Sequence, residues 1–211
     1  MENEPMRVLQ VLGRLDRGGA ESMVMNYYRN IDRSKIQFDF LLHTADECDF
    51  SNEVLTLGGN IFSIPRLRLL NYFQYRRSLH IFFKKNGFRY SIVHGHMGRN
   101  AAIYLSIAKK YGIFTIAHSH GTGNTRDLRG IMYKIMAYPT RYIADAFFGC
   151  SQAAGRARFG KKVVRSSRFS ILYNAFDLPS FRYDGRLREQ VRREYRSEEH
   201  TSELQSHSDL V

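Results

Sequence analysis

The sequence predicts an α/β fold, a parallel sheet with helices on both faces, and three observations predict it. Seven short apolar segments alternate with segments of helical periodicity along the chain. The first of them, Val8-Leu9-Gln10-Val11-Leu12, is almost continuously apolar, as a strand covered on both faces must be. It closes at Gly13, and Gly18-Gly19 then opens a helical pattern, the turn of a strand-loop-helix unit. Repetition of that unit gives right-handed βαβ crossovers and an open sheet.

The elements follow in order. Ala20–Ile31 places Met23, Val24, Tyr27, Tyr28 and Ile31 on one helical face, with Glu21 in the first turn where a carboxylate suits the helix dipole. Ile36–Leu42 reads as the second strand, Ser51–Leu57 as a short helix stopped by Gly58-Gly59, and Ile61–Ile64 as the third strand before Pro65. Leu70–Asn86 reads as a longer helix, with Tyr72, Tyr75, Leu79, Phe82 and Phe83 on one side and Arg76, Arg77, His80, Lys84 and Lys85 over the rest. That pattern fits a core helix with a solvated face, or a basic helix lying on a membrane.

Ser91–His96 is the fourth strand, Asn100–Tyr111 a helix, and Phe114–His118 the fifth strand. Arg129–Tyr142 is helical up to a break or kink at Pro139. Asp145–Cys150 is the sixth strand, Ser151 the N-cap of a helix through Phe159, and Phe169–Tyr173 the seventh strand, closed by Asn174-Ala175-Phe176-Asp177.

Composition bounds the function. The chain has 211 residues, 43% hydrophobic and 25% charged, as a globular domain does. No window approaches the run of about eighteen apolar residues that a membrane span needs, and the start resembles no signal peptide, so the expected compartment is the cytoplasm. Cys48 and Cys150 stand far apart, in no metal-ligand spacing, and are read as reduced, mostly buried thiols. A net charge of +12 calls for a polyanionic partner: nucleic acid, an anionic membrane, or a phosphate-bearing small molecule. Nucleic acid is disfavoured because no helix-turn-helix, RNP or Cys/His module organises the basic residues.

In an open parallel sheet, ligands bind at the carboxyl ends of the strands. The loops expected there carry Gly13 to Gly19, His43, His94, His96, His118, His120, Ser151, and Asn174 with Asp177. Gly18 and Gly19 fit an anion site at a helix start, or a plain tight turn; neither dinucleotide nor P-loop spacing is present. His94-Gly95-His96 and His118-Ser119-His120 have i, i+2 spacing, so each pair points to one side of a strand. Two such pairs could bind zinc, but no carboxylate or thiolate is placed to complete a catalytic site, and no metal is expected. Hydrogen bonding to sugar hydroxyls or a phosphate suits them better, with His96 and His120 placed further out and His94 and His118 as core histidines. No nucleophile elbow or ordered Ser-His-Asp set appears.

Together, Gly18-Gly19-Ala20-Glu21, Phe38-Asp39-Phe40, His94-Gly95-His96, Ala117-His118-Ser119-His120, Phe148-Gly149-Cys150-Ser151 and Leu172-Tyr173-Asn174-Ala175-Phe176-Asp177 resemble the N-terminal Rossmann-like domain of GT-B retaining glycosyltransferases of the family 4 type, which serve exopolysaccharide and capsule synthesis. The resemblance covers about residues 7 to 195. It implies the N-terminal half of a GT-B fold, with the acceptor bound mainly in this half and a nucleotide sugar, as co-substrate rather than cofactor, mainly in a second domain. It implies that Gly18 and Gly19 reach the donor diphosphate, that His120 lies near the transferred sugar as the catalytic residue, and that His96 and Asn174 line the acceptor side. It also implies a transferase that needs no metal and moves a hexose to a saccharide or lipid-linked acceptor, with peripheral contact to the inner face of the membrane.

The expected organisation is a Rossmann-like domain over 1–180, the start of an interdomain helix over 181–195, and a disordered tail over 196–211. Arg196–Ser206 resembles a translated sequencing adaptor, so the tail is set apart from the fold; without it, 31 basic residues face 16 acidic ones. The chain alone is expected to be inactive. The other reading is a stand-alone Rossmann-like module that binds a phosphorylated metabolite or an anionic membrane surface.

Overall fold

The run at Met6–Leu12 (β1) lies inside the sheet because it has an apolar side chain to offer on each face. A computed structural model describes residues 4–68, 70–123, 128–174 and 182–195. β1 pairs in parallel with Ile36–Leu42 (β2) on one side and Ile92–Gly95 (β4) on the other, with Leu9 opposite Asp39 and Val93. Ile61–Ser63 (β3) continues beyond β2, and Phe114–Ser119 (β5), Ala146–Gly149 (β6) and Phe169–Ile171 (β7) continue beyond β4. The seven strands stand in the order β3-β2-β1-β4-β5-β6-β7, all parallel. This is the Rossmann-like sheet expected, and its strand order reverses between β1 and β4, where a ligand crevice opens.

The two faces are packed separately. Leu12, Phe40 and Leu42 meet Met23, Val24 and Tyr28 of α1 (Gly19–Asn30) and Val54 of α2 (Ser51–Thr56). Leu9, Val11, Leu41, Val93, Ala117 and Phe147 face the other way, toward α3 (Tyr72–Asn86), α4 (Ala101–Lys110), and α7 (Gln152–Val164). α3 buries Tyr75, Leu79, Phe82 and Phe83 in that second core, so it is a core helix with a solvated basic face. A short 3-10 turn at Gly87–Arg89 follows it.

Pro139 divides the next helical stretch, as its missing N–H requires, into α5 (Leu128–Ala137) and α6 (Thr140–Ile143). Ser151 caps α7, its hydroxyl accepting from the Ala154 N–H at 3.1 Å. The helix expected to stop at Phe159 is interrupted one residue later, where Gly160 has φ +83°, and then continues to Val164. Only glycine adopts that conformation without strain.

One buried carboxylate, in the middle of β2, fastens the sheet. Asp39, 0% exposed, accepts from Arg7 Nη1 at 2.6 Å, the Asn60 backbone N–H at 2.8 Å, Asn60 Nδ2 at 3.0 Å and the Tyr90 hydroxyl at 3.0 Å.

The chain divides into two units, residues 1–175 and 176–211, the first ending five residues before the expected boundary. The described part of the second holds α8 (Gly185–Glu194), capped by Asp184, whose carboxylate accepts from the backbone N–H groups of Arg186 and Leu187. Ala175, Phe176, Asp177 and the tail over 196–211 lie outside the described residues.

Candidate functional site

The carboxyl rim of the sheet gathers the expected residues into two adjoining features. The first is an open cavity of about 1090 Å³ over β1, β2 and β3, lined by Gly13, Gly18, Glu21, His43, Arg66 and Asn71 among others. The second is a stack of four imidazoles at the ends of β4 and β5. Met97 lines the cavity and follows His96 in the chain, so the two features share a border.

In the cavity, Gly18 is the N-cap residue of α1 and has no side chain with which to cap. Space around the Cα of Gly19 is open, whereas a Cβ on Gly18 would strike the Glu21 carboxylate. That carboxyl folds back to its own backbone N–H, and burial raises its pKa. The helix start thus presents N–H groups and one acid that titrates more easily than a free glutamate. Arg14 is spent on Asp16 at 2.5 Å and Asp46 at 2.7 Å, while Arg66 and Arg68 also line the cavity. His43 is tied in place: Nδ1 donates to the Leu12 carbonyl at 3.0 Å, so Nε2 is an acceptor for the Tyr75 hydroxyl at 2.8 Å or Asn100 Nδ2 at 3.1 Å.

In the stack, strand alternation puts His94 and His96 of one segment beside His118 and His120 of the next. His94 and His118 lie parallel, 5.2 Å between centroids and 1° between planes, with Nε2 to Nδ1 at 3.2 Å. His96 Nδ1 and His120 Nε2 are 2.8 Å apart. His96 Nε2 reaches back to Gln10 Oε1 on β1, also at 2.8 Å. His118 Nε2 and His120 Nδ1 are buried atoms with no partner among the described residues.

Burial decides the charge of these rings. Desolvation, with the neighbouring imidazoles adding to it, pushes His94 down to about 3, His118 to about 2 and His96 well below its ordinary value. Desolvation and the Arg158 guanidinium bring His120 down to about 4. All four are therefore neutral at pH 7, and each carries one N–H and one lone pair.

His120 is the outermost ring, intermediate in exposure, and keeps one nitrogen unengaged. His96 is 8% exposed with both nitrogens bonded, so it is as deeply placed as His94, at 8%. The contact with Gln10 of β1 draws His96 inward, which i, i+2 spacing alone does not reveal. Asn174 is exposed beyond β7, next to Tyr173, whose carbonyl accepts from Tyr27 of α1 at 2.8 Å. Cys48 is buried and Cys150 half-buried, both free.

A metal ion could be held by His94, His96 and His118, whose ring nitrogens lie within 4.8 Å of one another. Histidine ligands usually donate their second N–H to a carboxylate or carbonyl. His96 has such an acceptor in the Gln10 side-chain carbonyl, whereas His118 Nε2 has none among the described residues.

Two residues of this site were not singled out from the sequence. Gln10 carried a signal, a polar residue in the middle of the most apolar run; it is 2% exposed. Arg158 carried none, since it is one of several basic residues on α7, yet it comes near enough to His120 to oppose its protonation.

Residues 17–179 match the model of Glycosyltransferase Family 4. EpsF of Bacillus subtilis (strain 168), a protein whose name proposes a glycosyltransferase, is 35% identical over 192 residues, covering 88% of this chain and 49% of EpsF. Among solved structures, Anabaena Alr3699/HepE in complex with UDP superposes with a TM-score of 0.67 at 14% identity, covering 90% of this chain and 50% of that one. A glycosyltransferase from Rickettsia africae ESF-5 gives 0.60 at 14% identity, covering 92% and 50%. The chain thus spans about half the length of the relatives it matches.

Proposed function

This chain belongs to glycosyltransferase family 4, and on that premise we propose that the protein transfers a hexose from a nucleotide sugar to a saccharide or lipid-linked acceptor in cell-surface polysaccharide synthesis. The observation that carries the reading is the pairing, at the switch point of the sheet, of an open cavity with a neutral histidine one of whose nitrogens is buried and unmatched among the described residues. A buried ring nitrogen without a partner is a receptor for a hydroxyl. Saccharides present hydroxyls on nearly every carbon.

The roles divide accordingly. His120 holds the transferred sugar while charge develops at its anomeric carbon. Gly18 and Gly19 offer the start of α1 to the donor diphosphate, which meets Glu21 there and requires that carboxyl to protonate or swing aside. The cavity takes the acceptor, with Asn174 at the far side of the same rim. The leaving diphosphate is met by N–H groups and guanidinium groups, so the reading needs no resident metal and no cofactor beyond the nucleotide sugar. HepE was solved with UDP and with UDP-glucose, ligands of the class proposed.

The test is transfer by a chain that spans the full length of the family relatives, assayed against a panel of nucleotide sugars. One of them is expected to give nucleoside diphosphate and a glycosylated acceptor in equal amounts. Failure with every donor, together with tight binding of a phosphorylated metabolite by the 211-residue chain alone, favours the stand-alone module.

The reading also places the protein at the anionic inner face of the membrane, where a lipid-linked acceptor resides. Ile131, Ile135, Tyr138 and Tyr142 form an exposed stripe at helical spacing along α5 and α6. It runs into a cavity of about 470 Å³ lined by Arg141, Lys161, Lys162 and Arg168, with no acidic residue among those lining it. An apolar stripe bordered by cations is what an anionic interface binds. Ile135→Asp and Lys161→Glu are each expected to reduce co-sedimentation with phosphatidylglycerol vesicles several-fold, and uncharged vesicles should bind neither variant nor parent. Equal sedimentation of parent and variants would remove this face from membrane contact.

A further inference from the structure

The imidazole stack raises a question its chemistry can answer: which nitrogen of His120 carries the proton. We infer that Gln10 is a positioning residue that sets this through His96, so that His120 meets its ligand as a hydrogen-bond acceptor only.

The Gln10 side-chain carbonyl can only accept, and it stands 2.8 Å from His96 Nε2, so that nitrogen carries the hydrogen. A neutral imidazole has a single N–H, and His96 Nδ1 is therefore a lone pair. His120 Nε2, 2.8 Å away, must donate to it. His120 Nδ1 is left as a lone pair, and it is the buried atom without a partner. One amide on β1 thus fixes the polarity of a group two rings away.

Gln10 is itself held rigidly. It is 2% exposed, in the middle of a strand paired on both sides, opposite Phe40 and His94. Reversing the order of donors would place Nδ1–H on His120 and convert an acceptor for a sugar hydroxyl into a donor. A site built around one polarity rejects the other strongly, because a mismatch leaves two buried groups unpaired.

The consequence for transfer rests on the function proposed above, but the tautomer does not. Two-bond proton–nitrogen correlation spectra of the 211-residue chain at neutral pH read it directly, and Nε2–H is expected on both His96 and His120. In Gln10→Leu the amide acceptor is gone and a buried His96 N–H has no partner. The proton order is expected to reverse, moving the unmatched N–H to His120, the least buried ring of the four, with His120 resonances changing to the Nδ1–H pattern. A parent spectrum with His120 protonated at Nδ1, or a folded Gln10→Leu variant whose His120 pattern is unchanged, overturns the inference. The parent spectrum alone decides if the variant fails to fold. In a chain that spans the full length of the family relatives, Gln10→Leu is expected to lower kcat about 10- to 100-fold with nucleotide binding unchanged. Absence of transfer by the parent, with the tautomers as inferred, would count against the proposed function and not against the role of Gln10.

Discussion

His120→Ala, in a chain that spans the full length of the family relatives, is expected to lower kcat by roughly 10²- to 10³-fold, the range seen when one preorganised hydrogen-bonding group is removed from a reacting centre. Nucleotide binding should hold within a few-fold, because the diphosphate is assigned to the start of α1 and not to this ring. The fold should survive as well. His120 is the outermost of the four imidazoles, and its hydrogen bond runs to His96, which retains Gln10. Acid titration provides the structural control. The folded pKa of His120, about 4, lies below the ordinary 6.5, so the unfolded chain takes up this proton first. Stability from keeping the ring neutral is therefore complete above pH 6.5 and lost as the pH falls from there toward 4. The alanine variant lacks this term and should lose less stability across that window. A near-parental kcat with a normal acid profile would remove His120 from the mechanism.

Much of this was legible in the sequence because strand and helix periods differ. Apolar runs broken by Gly13, Gly58-Gly59, Gly87 and Pro139 fall within a few residues of the observed boundaries. The alternation of elements was enough for a parallel sheet, and the rule of carboxyl ends then placed Gly18, His43, His96 and His120 on one rim. What periodicity does not carry is depth. His96 and His120 follow their strands by one residue each, so spacing treats them alike, yet one is covered and doubly bonded while the other keeps a free nitrogen. The difference comes from Gln10, 86 residues earlier in the chain, and that contact exists only once β1 and β4 have paired. Glu21 teaches the same lesson. From sequence it is a favourable charge in a first turn; in space it lies over Gly18, where the donor phosphate is assigned.

The same separation of covered and open ends predicts where a mutation should cost stability without costing chemistry. Asp39→Ala is expected to destabilise the first unit by about 3–5 kcal/mol, the range for breaking a buried ion pair by removing one partner. Asp39 is fully covered, and its two oxygens satisfy four donors from three different parts of the chain: Arg7 before the centre of β1, Asn60 before β3, and Tyr90 before β4. Alanine leaves the Arg7 guanidinium, the Asn60 amide groups and the Tyr90 hydroxyl without that acceptor. For a unit of this size the loss corresponds to a fall in Tm of about 10 °C, measurable by circular dichroism or calorimetry. Asp39→Asn keeps an oxygen for part of the network and should cost less; Tyr90→Phe, which removes one donor together with its need, should cost least. The three donor residues stand toward the amino ends of their strands, Arg7 second in β1, Asn60 before β3 and Tyr90 before β4, away from the rim that holds the cavity and the imidazoles. Below the lowered Tm, kcat of the Asp39→Ala protein should therefore stay close to that of the parent. A large loss of kcat in protein that is still folded would mean that the two edges of the sheet are coupled, and that Asp39 helps set the position of β1 and with it Gln10.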